Sequence, residues 1–241
     1  MKLKSILAAL LLMVAGLQTA WGQKMIVTLN DNSKVTYSIS QVKEVSFVES
    51  EEHEYVDLGL PSGTKWATCN VGASSPEEYG DHFAWGETAP KDEYNWSTYF
   101  DTDDGGITFK KYNNNGGLTE LQPEDDAATA NWGSGWQMPS PDQIKELFNS
   151  SYTTTKRTTL NDVYGCKITS KSNGNSIFLP AAGYRWGDDL ADAGSYGLYW
   201  PSSLYPGSDD GAYYLDFSSG YWIWDYNFGR YLGLSVRAVR Q

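Results

Sequence analysis

Histidine and cysteine are nearly missing from this chain, with two of each in 241 residues. Zinc fingers and histidine-rich metal centres therefore lack ligands. Basic residues are also scarce, 18 Lys and Arg against 30 Asp and Glu, for a net charge of −12. Nucleic acid is excluded as the main partner, because phosphate binding needs a basic stripe. Docking on an anionic membrane through charge is excluded for the same reason. Past residue 22 there is no long apolar run, so no segment reads as a membrane span. Low-complexity tracts and internal repeats are missing too, and 40% hydrophobic against 20% charged content places the chain among folded proteins.

The first 22 residues read as an address. Lys2 and Lys4 supply a positive start, Ile6–Leu17 is apolar apart from Gly16, and Ala20 and Gly22 are the small residues of a cleavage site. This pattern predicts a secretory signal peptide cut after Gly22, and hence a secreted or cell-surface protein, periplasmic or extracellular. Cys69 and Cys166 would then meet an oxidising compartment. There they can form a disulfide or remain two small buried hydrophobes, and the sequence leaves both open.

Residues 23–48 read as a small β unit. Met25, Val27 and Leu29 alternate with polar residues, as do Val35, Tyr37 and Ile39, and Val45, Phe47 and Val48 form a third short run. Residues 49–54 are an acidic, apolar-poor linker, and the remainder, 55–241, is one domain. Within it turn signals are dense and helix signals few. Ser140-Pro141-Asp142-Gln143 is a capping box with Pro at the first helical position, followed by Ile144, Leu147 and Phe148 on one face. A shorter helix is predicted from Asp125 or Asp126, and a third from Ser75-Pro76-Glu77-Glu78. Strands are predicted at 176–180, 212–217, 221–226 and 234–239, with long loop between. Short strands, two or three short helices and much ordered loop make the class α+β.

Six stretches recur in a recognisable order: Tyr55–Ala73 (YVDLGLPSGTKWATCNVGA), Phe83–Thr88 (FAWGET), Asp125–Ala128 leading to Trp132-Gly133 and Trp136–Pro139, Ile177–Arg185 (IFLPAAGYR), Tyr199–Ser203 (YWPSS) and Ser235–Val239 (SVRAV). Together they resemble the family called the Fibrobacter succinogenes major paralogous domain, over about residues 55–240. That family is similar to the C-type-lectin-like fold and more distantly to the formylglycine-generating enzymes. The β unit resembles a hairpin segment that often precedes such domains in secreted proteins of gut and oral Bacteroidetes. The resemblance implies a C-type-lectin-like domain in a secreted or surface protein. It does not choose among sugar binding, protein binding and adhesion, since fold does not decide function.

Catalytic signatures are weak. No Gly-x-Ser-x-Gly elbow is present, and the only imidazoles are His53 and His82. The copper-binding cysteine pair that the formylglycine-generating branch carries near its C-terminus has no counterpart, because the last cysteine is Cys166. The expectation is a chain with no catalytic residue, no metal and no cofactor. Asp101-Thr102-Asp103-Asp104-Gly105-Gly106 begins like a calcium loop, but Gly105 and Tyr112 occupy positions that an EF-hand gives to ligands. Gln122-Pro123-Glu124 superficially resembles a triplet of calcium-dependent lectins, and the partner Trp-Asn-Asp is absent. Residues 101–126 are thus read as a solvated acidic region, with Asp125 or Asp126 as a helix cap.

Aromatic residues are what the chain has in excess, with 10 Trp and 17 Tyr. Thirteen fall between Tyr196 and Tyr231. In Tyr221–Tyr226, strand alternation puts Trp222, Trp224 and Tyr226 on one face. With Asp225 and Asn227 beside them, these three rings are the predicted ligand-binding platform. Rings can stack on the C–H face of a sugar while carboxylates and amides take its hydroxyls, or they can form a protein hot spot. The expectation is a non-catalytic binding or adhesion module for a protein or glycan partner at the cell surface, in an appendage or larger assembly. The alternatives are a glycan-binding lectin using that platform and an uncharacterised enzyme of the same fold.

Overall fold

The computed structural model describes residues 24–28, 34–41, 53–218, 222–223 and 227–241. The chain divides into two compact units, 1–49 and 50–241. In the first, Lys24–Thr28 pairs antiparallel with Lys34–Ser38, and Ile39–Gln41 forms a 3-10 turn. Met25 stands opposite Tyr37 and Val27 opposite Val35. The third predicted strand, at 45–48, lies outside the described residues.

The second unit is mainly β, made of small sheets with two short α-helices. A five-stranded sheet runs in the order Trp222–Ile223, Leu215–Phe217, Gly197–Tyr199, Leu234–Ser235, His82–Phe83. Its one parallel pair, Tyr199 with Ser235, brings distant parts of the chain side by side. Gly197 stands opposite Phe217, and a Cβ there would come within 2.1 Å of the Phe217 ring. A three-stranded sheet joins Val239–Arg240, Lys65–Ala67 and Tyr55–Asp57, and another joins Thr153–Leu160, Val163–Ser170 and Ser176–Pro180. Two two-stranded antiparallel pairs complete the set, Tyr184–Trp186 with Asp189–Ala191 and Gly211–Tyr213 with Asn227–Gly229.

Helix α1 spans Ala127–Trp132, and Asp126 caps it by accepting from the Thr129 amide at 2.9 Å. Helix α2 spans Pro141–Leu147, and both arms of the Ser140–Gln143 capping box are formed. Its apolar stripe buries Ile144 and Leu147. The third predicted helix is instead a turn. The Glu78 carboxylate folds back on Ser74 N and Oγ at 2.7 and 2.8 Å, and Gly80, at φ +70°, redirects the chain before a second helical turn can form.

Two large cores and a smaller one around Ala84, Tyr94 and Tyr99 hold this unit. One large core gathers Trp85, Trp136, Trp200, Tyr112 and Tyr214 with small aliphatics; the other gathers Trp66, Ile144, Leu147, Ile168, Leu179 and Phe217. The indoles of Trp85 and Trp200 donate to the carbonyls of Pro201 and Phe83, at 3.0 and 2.8 Å. Each ring is thus buried without stranding its N–H. Cys69 and Cys166 are both free thiols, so of the two readings left open the disulfide is not formed. Cys69 Sγ turns to the Ala73 carbonyl at 3.2 Å, while Cys166 is wholly buried in the second core. No helix among the described residues is long and apolar enough to cross a membrane.

Candidate functional site

Of the predicted platform, Trp224, Asp225 and Tyr226 lie outside the described residues. Trp222 stands opposite Phe217 in a terminal strand of the five-stranded sheet. Asn227 stands opposite Tyr213, and its amide donates to Ser208 Oγ at 3.1 Å. Most of the described rings of the aromatic segment serve the core, while Tyr205 and Tyr213 stand outside its clusters. Tyr199, Trp200, Tyr214 and Phe217 are buried, and Tyr196, Tyr205, Tyr213, Phe228 and Tyr231 are half-buried.

Asp209 and Asp210, acids of the same aromatic segment, are occupied by the fold. Asp209 Oδ1 accepts from the Asn114 backbone and side-chain amides at 2.6 and 2.8 Å, and Asp209 Oδ2 from Asn115 at 3.1 Å. Asp210 accepts from Ser208 Oγ. These bonds pin the 113–115 loop against the 205–210 loop, over a separation of 95 residues that no local pattern could announce.

Beside this junction lies a cleft of about 540 Å³, lined by Asn114, Glu120, Asp142, Lys145, Ser203 and Tyr213 among others. Its walls are stitched by backbone bonds: Leu121 N to Ser202 O, Leu204 N to Thr119 O, Ser202 N to Pro139 O and Tyr213 N to Ser203 O, between 2.8 and 3.1 Å. The start of α2 forms one side, because its capping box fixes Ser140 and sends Asp142 outward. Tyr213 is braced edge-on by Tyr205, with centroids 5.0 Å apart. Glu120 uses one carboxylate oxygen on Ser202 Oγ, at 3.1 Å. Ser203 is 4% exposed, and its Oγ has no hydrogen-bond partner among the described residues. Sequence reading missed this cleft, since its lining comes from two separate loops, the end of a strand and one helix terminus with no shared motif.

A second cleft, of about 390 Å³, includes His82, Lys91, Tyr94, Arg185 and Asp188. Its cations are engaged. Lys91 Nζ bonds Glu87 at 2.8 Å and the Thr98 carbonyl at 3.1 Å, and Arg185 donates to the Asp188 carbonyl at 3.3 Å. Burial holds the His82 imidazole down to about 4, and its Nε2 lies 3.2 Å from the Ala182 carbonyl. Burial likewise pushes the Cys166 thiol up to about 12, so it stays protonated at neutral pH. His53, the other imidazole, stacks on Trp132 at 3.9 Å.

The acidic region is not simply solvated. Asp101 is buried and bonded to Arg230 at 2.7 Å, Asp103 pairs with Lys110, and Lys111 bridges Glu124 and Asp125. Asp104 accepts from Thr102, Ile107 and Thr108, which holds its carboxyl well below the usual range. Lys110, Lys111 and Arg230 thus take up the charge that looked unpaired in the sequence. Among the described residues no group of three or more His, Cys, Asp or Glu converges as a metal site.

Asp216 is a buried acid with an incomplete set of hydrogen bonds. It is 5% exposed, and its Oδ1 finds no hydrogen bond among the described residues. Burial first, and then the neighbouring charge of Asp192, push its carboxyl up to about 6, against the pull of Arg157. A carboxyl raised in the folded state favours the protonated form. Its ionisation therefore erodes stability as pH rises from about 4 to about 6. Asp216→Asn should accordingly stabilise the protein by about 1–3 kcal/mol at pH 7 and by nearly nothing at pH 4. Urea unfolding of both proteins at four pH values between 4 and 7 checks this. A difference independent of pH would show that the carboxyl ionises freely in the fold. His82 has the opposite sign, lending stability that is lost as pH falls from 6.5 toward 4.

No protein family, curated protein or solved structure compared with this chain matches it.

Proposed function

We propose that this chain is a secreted or cell-surface, non-catalytic binding module with a C-type-lectin-like domain, directed outward by residues 1–22 and engaging a glycan or protein of the cell surface. The observation that carries this reading is the 540 Å³ cleft, whose walls are loops locked together by backbone hydrogen bonds. Such a surface is pre-organised, so little ordering entropy is lost on binding. Its lining offers carboxylate, amide, hydroxyl and ammonium groups without histidine or cysteine. His82 and Cys166, the imidazole and thiol with shifted pKa values, are both buried within the fold, which is what structural rather than catalytic groups look like. The ordered set of six sequence motifs supports the fold assignment.

Adhesion tests the reading. Beads coated with the purified protein should be retained by washed bacterial or epithelial cells well above beads coated with heat-denatured protein. Retention no better than that of an unrelated acidic protein would overturn it.

A further inference from the structure

Resting on that reading, we propose that the cleft takes a short neutral saccharide, bound without calcium and stacked against Tyr213. Its volume, about 540 Å³, suits a small ligand rather than a flat protein face. A sugar presents an apolar C–H face and a ring of hydroxyls that both donate and accept. The cleft answers both demands. Tyr213 supplies an aromatic wall held in place by Tyr205. Around it, Glu120 keeps one oxygen beyond its bond to Ser202, and Asp142 is exposed on the first turn of α2. Asn114 spends its N–H groups on Asp209 and on the Tyr205 carbonyl, which leaves its amide oxygen as a further acceptor. Ser203 also lines the cleft, with its hydroxyl oxygen itself shielded from solvent.

Charge narrows the class. Two carboxylates face one ammonium, and that ammonium, Lys145 Nζ, already lies 3.8 Å from Asp142. With a net charge of −12 behind it, the cleft repels phosphate, sulfate and sialic acid. A hard cation needs six or more converging oxygens, and two carboxylates on separate elements do not provide them.

The test is titration calorimetry of the full purified protein. The probes are glucose, galactose, mannose and N-acetylglucosamine oligomers, with sialyllactose and a heparin oligosaccharide as charged comparators, each with calcium and with chelator. At least one neutral series should bind equally in both buffers. Glu120→Gln and Tyr213→Ala should each weaken it by about tenfold. Glu120→Gln should leave the melting temperature unchanged, which separates a lost contact from a lost fold even if Tyr213→Ala destabilises. Binding that is abolished by chelator, confined to the charged probes or indifferent to Glu120→Gln would overturn the proposal. Silence with every neutral probe would overturn it as well. If coated beads still hold cells in that case, the binding-module reading stands and only the saccharide assignment falls; if the beads also fail, both fall.

Discussion

Asp101→Ala is expected to cost about 3–5 kcal/mol of stability, because it strands a buried guanidinium. In a unit of this size that corresponds to a fall in melting temperature of roughly 6–20 °C. Arg230 is fully buried, donating to Asp101 Oδ2 at 2.7 Å and to the Tyr112 carbonyl at 2.7 Å. Its Cζ lies 4.1 Å from the centroid of Phe109 and 5.3 Å from those of Trp85 and Tyr99. These rings offer the cation some compensation, but far less than a carboxylate does. Asp101 also receives the backbone amides of Lys111 and Tyr112, so its loss frees the chain leading to Asn114 at the rim of the cleft. Ligand binding should therefore weaken along with stability. The double variant Asp101→Leu/Arg230→Met should be less damaging than Asp101→Ala, since no unpaired charge stays inside. Thermal melts of the three proteins decide the matter. A loss below about 1 kcal/mol for Asp101→Ala would mean that water reaches Arg230.

Arg237→Met should be the other severe change, at about 2–5 kcal/mol. This arginine is 1% exposed and lies in no salt bridge among the described residues. Its guanidinium is held by oxygen dipoles: Asn70 Oδ1 at 2.9 Å, and the carbonyls of Ala67, Thr68 and Phe178 at 3.1, 2.8 and 3.0 Å. Burial lowers its pKa from the usual arginine value. Methionine removes that desolvation cost of several kcal/mol but leaves four acceptors without a donor, each worth about 1–3 kcal/mol. The orphaned acceptors outweigh the relief. Arg237→Lys should not rescue the fold, because a compact ammonium has three donors for four acceptors and lacks the planar fork. Denaturant unfolding of both variants is the measurement. A lysine variant as stable as the parent would show that charge rather than geometry is what this position supplies.

How far the sequence reached follows from the range of each interaction. The Ser140–Gln143 box and the Asp126 cap were legible, because a cap joins residues three apart and its partners are already written side by side. The strand Ser176–Pro180 was legible from its unbroken apolar run. The hairpin of Thr153–Leu160 and Val163–Ser170 was not. Its first strand is mostly exposed, so it carries little of the apolar alternation that marks a strand. The signal that could have found it is a threonine-rich, β-branched run ending at Asn161-Asp162, where φ is +47° and +66°, the paired positive values of a tight hairpin turn. The predicted strand 212–217 is in fact two, Gly211–Tyr213 and Leu215–Phe217, in different sheets, and the stretch 234–239 likewise divides between two sheets. Alternation alone cannot show where a chain leaves one sheet for another.

By itself, the sequence determined the acidic character of the chain, the scarcity of histidine and cysteine, and the two helix starts. All of these are composition or contacts over a few residues. Only the tertiary structure decided that Cys69 and Cys166 stay apart as free thiols, that Asp101 belongs to Arg230 at a separation of 129 residues, and that Asp209 holds the Asn114 loop. The same is true of the cleft, assembled from loops that meet through backbone hydrogen bonds. Those bonds use groups every residue possesses, so they leave no mark in a sequence until the chain has folded.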